Sequence, residues 1–268
     1  MKFFILFFLI LIIQCVQSIE ISFMLLAAPK KRPEFDRSLR DLFEMLKYND
    51  PEVKIRMVML KGCDCNFPSF DKAIKKLTNE YPHIETIKFV REFIEEEQDY
   101  KQPWVDEMYH AIDHLYKRKD WTKPKKLRKH YLINGNYMVM AEWLYKNTQT
   151  DIFVYLEDDM TYHSDLLEKF VQYYKENDFD SYCYERIAPY TYSRVPKQPN
   201  TPYTARQWGH YGLVRTRKQM AEYFRMMKFQ RYFESGDAIS GYYCQMVKRN
   251  YFVMNLSRHF GKDRTIPK

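Results

Sequence analysis

A mainly apolar run at residues 19–28, closed by Pro29, constrains the fold of this chain most. A run of this kind is typical of a strand that is buried on both faces, as in a parallel sheet covered by helices. Strand-like runs recur at residues 53–60 and 84–90, and helical periodicity separates them at residues 39–46 and 70–81. Strands that alternate with helices predict parallel βαβ units, and therefore an α/β fold with a mainly parallel central sheet flanked by helices.

The rest of the chain continues this alternation around one long irregular segment. Periodicity predicts helices at residues 127–145, 165–177, 217–229 and 236–249, and strands at residues 151–156, 181–185, 208–214 and 251–256. Residues 187–206 carry four prolines and little periodicity, so we expect a long loop there. Loops of this length in compact domains are often lids or binding segments.

The amino terminus has the pattern of a secretory signal peptide. A basic start at Lys2 precedes an apolar run from Phe3 to Ile13, which is shorter than the roughly 20 residues that a spanning helix needs. Val16 and Ser18 supply small residues at the usual cleavage spacing. We therefore expect a signal peptide at residues 1–18 and a single domain at residues 19–268, with an uncleaved short anchor as the alternative and membrane contact only in that case.

Cysteines and net charge limit the class of protein further. The mature chain would keep four cysteines in a compartment where disulfides persist, and four cysteines allow three pairings. Zinc is disfavoured at Cys63 and Cys65, because one intervening residue is not the common ligand spacing. A formal charge of +8 predicts a surface that attracts phosphates, while secretion argues against nucleic acid as the partner.

Three consecutive acids, Glu157, Asp158 and Asp159, follow the apolar run at residues 151–156 directly. The carboxyl ends of strands are where open α/β sheets bind ligands. Carboxylates this close repel one another, and a divalent cation would compensate that repulsion. An acidic triplet alone also suits a helix cap or a solvated turn, but its position after a buried strand favours a Mg²⁺ or Mn²⁺ site that neutralises a diphosphate.

Two later residues fit the same scheme. Asp237 lies at a predicted helix start, where it would serve either as an N-cap or, if it lines the cleft, as a general base. His259 follows the last predicted strand closely enough to reach the same cleft as a metal ligand, although a lone histidine is more often an ordinary surface or core residue.

Taken in order, these motifs resemble glycosyltransferases of the GT-A fold, and within them the N-acetylglucosaminyltransferase IV family. The matching segments are Lys126-Leu-Arg-Lys-His130, Tyr155-Leu-Glu-Asp-Asp-Met160, Gly209-His-Tyr-Gly212, Ser235-Gly-Asp-Ala-Ile239 and His259-Phe-Gly261. The resemblance spans roughly residues 19–265 and implies a GT-A, Rossmann-like domain that binds a nucleotide sugar.

By this resemblance, each motif acquires an expected role. Asp159, helped by Glu157 and Asp158, would hold Mn²⁺ or Mg²⁺ against the donor diphosphate, and His259 would complete the metal shell. Asp237 would be the catalytic base. Separately, Arg128 and Lys129, at the start of a predicted helix, are candidates to pair with donor phosphate.

The expected reaction is transfer of a sugar, by analogy N-acetylglucosamine, from a UDP-sugar to a glycan or glycoprotein acceptor with inversion. Its place would be the secretory pathway, in the Golgi or ER lumen, or outside the cell. One alternative is a secreted, catalytically inactive protein of the same fold that binds glycans or nucleotides. A metal-dependent phosphohydrolase is disfavoured, because the sequence shows no second His and Asp cluster for a two-metal site.

Overall fold

A computed structural model describes residues 18–27, 34–61, 66–90, 137, 140–187, 202–205, 212–230, 244, 248–254 and 256–259. Within them the strands are β1 (Ile19–Ala27), β2 (Val53–Lys61), β3 (Glu85–Val90), β4 (Ile152–Glu157), β5 (Met160–Tyr162), β6 (Glu185–Arg186), β7 (Tyr203–Ala205), β8 (Leu213–Thr216), β9 (Tyr251–Val253) and β10 (Ser257–His259). The α-helices are α1 (Glu34–Met45), α2 (Pro68–Glu80), α3 (140–147), α4 (Leu166–Glu176) and α5 (Arg217–Gln230).

Eight of these strands form one sheet in the order β3-β2-β1-β4-β8-β6-β9-β7. The first four strands are parallel to one another. From β8 onward the sheet is mixed, with antiparallel β4–β8, β8–β6 and β9–β7 pairs and one parallel β6–β9 pair. The predicted α/β class, with a mainly parallel central sheet flanked by helices, is confirmed.

The sheet separates two hydrophobic cores, as the alternation of side chains along a strand requires. Ile21, Phe23 and Leu25 of β1 belong to the core that α1, α2 and α4 cover, whereas Met24 belongs to the core that holds Tyr137 and residues of α3 and α5. Both faces of β1 are therefore buried, which is why its sequence is mainly apolar instead of alternating.

The two remaining strands, β5 and β10, form a separate antiparallel pair. Residues 158–159 are the turn that connects β4 to β5. A backbone hydrogen bond also joins the residues that flank the pair. The amide of His163, just after β5, donates to the carbonyl of Leu256, just before β10, at 3.1 Å. The small sheet therefore lies directly beyond the carboxyl end of β4.

At the opposite, amino end of the parallel strands lies a buried arginine. Arg56 of β2 is 3% exposed and donates to the Glu85 carboxylate at 2.8 Å and to the Thr150 hydroxyl at 3.0 Å. Ser22 Oγ lies 3.2 Å from the same guanidinium. This network connects β1, β2, β3 and the segment before β4.

Cys183 and Cys244 form a disulfide. Of the three pairings that the sequence allows for four cysteines, only the one that joins these two agrees with this bond. Cys63 and Cys65 lie outside the described residues. Cys183 is fully buried, two residues before β6, and its amide donates to the Asn250 carbonyl just before β9.

Two predicted strands were wrong in detail, and the predicted loop at 187–206 contains a strand, β7 at Tyr203–Ala205. Residues 181–185 do not form one strand: a 3₁₀ turn at Phe179–Ser181 precedes a strand of only two residues. The predicted strand at 251–256 ends at Val253, and a further strand, β10, begins at Ser257, so His259 lies within the last described strand and does not follow it. In both cases the local apolar content is real, but pairing with distant segments decides where each strand ends.

Several other predictions concern segments that the structure does not describe. These are all but the last residue of the signal peptide at residues 1–18, most of the predicted helices at 127–145 and 236–249, and most of the loop at 187–206. Among the residues that are described, no helix is both long enough and apolar enough to cross a membrane. The division into a signal peptide and one domain stays a prediction.

Candidate functional site

The acidic segment lies where its sequence position predicted, at the carboxyl end of β4. Glu157 is the last residue of β4 and pairs in register with Leu26 near the end of β1. Asp158 is 5% exposed, whereas Glu157 and Asp159 are half-buried. Two of the three acids thus keep a surface that a ligand can reach, while the third is packed into the protein.

The chain order of the strands reverses at this point. In the sheet, β2 and β3 follow one another on one side of β1. The next described strand of the chain, β4, lies on the other side of β1. Such a reversal leaves a crevice outside the carboxyl ends of the two strands, which is where ligands bind in open α/β sheets. The acidic segment lies at this point of reversal, because Glu157 is in register with Leu26 of β1.

A buried tyrosine hydroxyl holds one side of the segment. The Tyr137 hydroxyl donates to the Leu156 carbonyl at 2.5 Å, and the Tyr137 ring packs at 5.0 Å from the Tyr155 ring. Burial raises the pKa of Tyr137 well above its usual value, and the charges of Glu157 and Asp158 raise it further. The hydroxyl therefore remains a protonated donor at physiological pH.

A second tyrosine hydroxyl holds the next peptide. Tyr162 of β5 donates to the Glu157 carbonyl at 3.1 Å. Burial raises the pKa of this phenol strongly, against the effect of a hydrogen bond with Ser38 of α1, and Glu157 is the first of the nearby acids that raise it too. This hydroxyl is also a permanent donor, and it connects the acidic segment to α1.

The β5–β10 pairing brings the end of the described chain beside the acids. His259 pairs in register with Met160, the residue that follows Asp159, and Ser257 pairs with Tyr162. The backbone of His259 is therefore adjacent to the acidic turn, as the metal-ligand hypothesis requires. Coordination by its imidazole stays a prediction.

A glycine packs against the residue that follows the acids. Gly212 has φ +60°, and a Cβ on it would lie 2.4 Å from Ile187 Cγ1 and 3.2 Å from Met160 Cε. The left-handed backbone and the lack of space both require glycine here. Ile187 is the first residue of the predicted loop 187–206, so this loop begins beside the acidic turn.

Of the remaining predicted site residues, Arg128, Lys129 and Asp237 lie outside the described residues. Sequence reasoning missed the roles of Tyr137 and Tyr162. Tyr162 follows Asp159 by three residues in a strand too short for periodicity to reveal. Tyr137 lies 20 residues before Glu157, and nothing local indicates that its hydroxyl reaches the strand end.

The acids suit a divalent cation that is shared with a substrate. Carboxylate oxygens are the ligands of hard cations, and Mg²⁺ in phosphate-binding sites usually takes one or two carboxylates with water and substrate oxygens. Across the described part of the chain, no three His, Cys, Asp or Glu side chains are grouped so that they could hold a metal. Glu157 and Asp159 are half-buried carboxylates in the right place, so they fit a cation of this shared kind.

Similarity of this chain to known proteins is found among solved structures. No protein-family model matches the chain, and no curated protein matches its sequence. Among solved structures it resembles a crystal structure of residues 1–349 of TarS from S. aureus, with 9% identity and a TM-score of 0.45 over 90% of this chain. The chain spans 60% of that TarS structure.

Another similar structure is that of mouse xyloside xylosyltransferase 1 in its apo form. The identity is again 9%, the TM-score is 0.46, and the match covers 86% of this chain and 82% of the mouse chain. By its name, the mouse protein is a xylosyltransferase. Because both TM-scores are below 0.5, we base the functional argument on the geometry of the site.

Proposed function

We propose that the protein is a glycosyltransferase that uses a nucleotide sugar and a divalent cation. One observation carries the proposal: the acidic segment Glu157–Asp159 lies at the carboxyl ends of β1 and β4, where the strand order reverses. The motif resemblance to GT-A enzymes assigns a nucleotide-sugar site to the same segment. The two similar solved structures are glycosyltransferases, which is compatible with the proposal without carrying it.

In this proposal Asp159, with help from Glu157 and Asp158, holds the cation and His259 completes its shell. Bound there, Mn²⁺ or Mg²⁺ would neutralise the donor diphosphate and stabilise it as a leaving group. Arg128 and Lys129 pair with the donor phosphates. The basic surface of the chain, at a formal charge of +8, favours the approach of such an anionic donor.

Asp237 acts as the general base. Its carboxylate takes the proton of an acceptor hydroxyl, the hydroxyl oxygen forms a bond to the anomeric carbon, and the bond from that carbon to the diphosphate breaks. A single displacement of this kind inverts the anomeric configuration. General-base assistance typically contributes about 10²–10⁴-fold in rate.

The finer parts of the proposal are a UDP donor, N-acetylglucosamine as the sugar, a glycan or glycoprotein acceptor, and a location in the secretory pathway. The first three follow from the resemblance to the N-acetylglucosaminyltransferase IV family. The Cys183–Cys244 disulfide supports the location, because disulfides persist in oxidising compartments.

The first test is calorimetric titration of residues 19–268 with UDP, with and without Mn²⁺. We expect binding that depends on Mn²⁺ and that Asp159→Ala abolishes, since this carboxylate links the protein to the cation. Asp71→Asn is the matched control, because it removes an exposed acid that pairs with Lys88 of β3, three strands away from β4 in the sheet. It should bind UDP as the natural protein does.

Absence of UDP binding under every condition would overturn the proposal. The inactive-protein alternative is separated by Asp237→Asn and a screen of UDP-sugar donors with glycan acceptors. An enzyme should lose transfer in this variant and keep Mn²⁺-dependent UDP binding. A natural protein that binds UDP but transfers no sugar to any acceptor would instead support the inactive alternative.

A further inference from the structure

Two tyrosine hydroxyls bind consecutive carbonyls at the start of the acidic segment. Tyr137 donates to the Leu156 carbonyl and Tyr162 to the Glu157 carbonyl. These carbonyls belong to the two peptide planes on either side of the Glu157 Cα. Because each plane is held at its oxygen, both backbone dihedrals of Glu157 are restrained, and so is the direction in which the chain enters the turn at Asp158 and Asp159.

Among the described residues, the β4–β8 ladder does not reach the end of β4. The pairing of β4 with β8 covers only Ile152, Phe153 and Val154. Within the described residues, Leu156 and Glu157 extend past that pairing and are paired with β1. A strand end held on one edge can rotate its last peptides, and the tyrosine hydroxyls fix the oxygens of those peptides.

The two tyrosines approach from opposite faces of the sheet. Tyr162 belongs to the core that α1, α2 and α4 cover, and Tyr137 belongs to the core under α3 and α5. Tyr137 is 4% exposed and Tyr162 is 6% exposed, so packing fixes both rings. The acidic turn is thereby attached to both layers of the protein through hydroxyl donors.

We propose that Tyr137 and Tyr162 are positioning residues that orient the carboxylates of the acidic turn for cation binding. The inference rests on the proposed function, because it concerns the same cation. Groups that orient metal ligands without touching the metal typically contribute 10–100-fold to affinity. Removal of either hydroxyl should therefore weaken Mn²⁺ binding about 10-fold, near the lower end of that range.

The experiment measures Mn²⁺ affinity of residues 19–268 from the electron paramagnetic resonance signal of free Mn²⁺. The variants are Tyr137→Phe and Tyr162→Phe, which remove only the hydroxyl. Tyr155→Phe is the matched control. Tyr155, in β4, is buried as the other two tyrosines are, but its hydroxyl donates to Met220 Sδ at 3.6 Å and not to a carbonyl of the acidic segment. All three variants lose a buried hydrogen bond, so melting temperatures are measured and titrations are made where every protein is folded.

We expect weaker Mn²⁺ binding in Tyr137→Phe and Tyr162→Phe, and natural affinity in Tyr155→Phe even if it melts at an equally low temperature. Amide hydrogen exchange at residues 157–160 without metal should accelerate in the first two variants only. Natural Mn²⁺ affinity in both variants would overturn the positioning role alone. If the natural protein itself bound no Mn²⁺, the proposed function would be overturned together with it.

Discussion

At the scale of single residues, Glu185 is a buried carboxyl group whose surroundings determine its protonation. Burial raises its pKa well above the ordinary value, although the hydrogen bond from Gln219 and the charge of Arg215 act in the opposite direction. Gln219 Nε2 donates to Glu185 Oε1 at 2.9 Å and also to the Phe179 carbonyl at 2.7 Å. Burial therefore favours the protonated form of Glu185, which still accepts the hydrogen bond of Gln219.

This residue makes stability depend on pH. The folded-state pKa lies above the unfolded value of about 4.5, so between the two values the folded protein holds more protons, and its free energy of unfolding falls as pH rises. Glu185→Gln keeps an oxygen acceptor for Gln219 and does not ionise. We expect this variant to unfold like the natural protein near pH 4 and at higher urea concentration at pH 7.

Urea midpoints measured from pH 4 to pH 8 test this prediction. Glu176→Gln is the control for the lost charge, because Glu176 is exposed on α4 and accepts a hydrogen bond from Gln172. We expect the natural protein to lose stability relative to Glu185→Gln as pH rises. If this difference in stability does not change with pH, the pKa of Glu185 is not raised.

At the scale of elements, the disulfide joins the segment just before β6 to the segment that precedes β9. The two strands are also parallel neighbours in the sheet, but they share only two registered pairs. The bridge closes a separation of 61 residues. It thus holds together the part of the sheet with the shortest strands.

We expect Cys183→Ala with Cys244→Ala to lower the free energy of unfolding by about 3–4 kcal/mol, mainly because the unfolded chain gains freedom. Urea unfolding with and without a thiol reductant measures the effect. Reductant should destabilise the natural protein by a similar amount and leave the double variant unchanged. Equal stability of the oxidised natural protein and the double variant would show that the bridge does not constrain the chain.

The same elements show how far the sequence predicts this fold. The strands β1, β2 and β4 were predictable because each one is long, apolar and buried on both faces. The strands β5 and β10 were not, because each has three residues and exists only through its partner about 97 positions away in the chain, a pairing that local pattern does not reveal. The position of Glu157, Asp158 and Asp159 at a strand end could be predicted, but their attachment through Tyr137 and Tyr162 depends on tertiary contacts.

At the scale of the whole molecule, stabilising charge and candidate chemistry lie at opposite ends of the parallel strands. Arg56 connects β1, β2 and β3 at their amino ends, and the acidic turn lies at the carboxyl ends. Arg56 is in register with Ser22 of β1 and Glu157 with Leu26, so four residues of strand, about 13 Å, separate the two levels. Stability and cation binding should therefore respond separately to substitution.

Arg56→Ala tests this separation. Loss of charged hydrogen bonds from a buried guanidinium should cost about 2–3 kcal/mol in the free energy of unfolding. Mn²⁺ affinity should not change. Lys54→Ala is the control on the same strand, because Lys54 pairs with Glu20 and Glu85 from an exposed position, and it should cost at most about 1 kcal/mol. A large loss of Mn²⁺ affinity in folded Arg56→Ala would show that the two ends are coupled.

The close packing of Gly212 against Ile187 and Met160 also limits which substitutions these positions tolerate during evolution. A side chain at position 212 would overlap Ile187, and the backbone there is left-handed, so an exchange at 212 requires both a smaller neighbour and a residue that tolerates positive φ. Met160 directly follows the proposed cation ligands in the chain. Substitutions at these three positions are therefore not independent, and we expect the three positions to covary among related sequences.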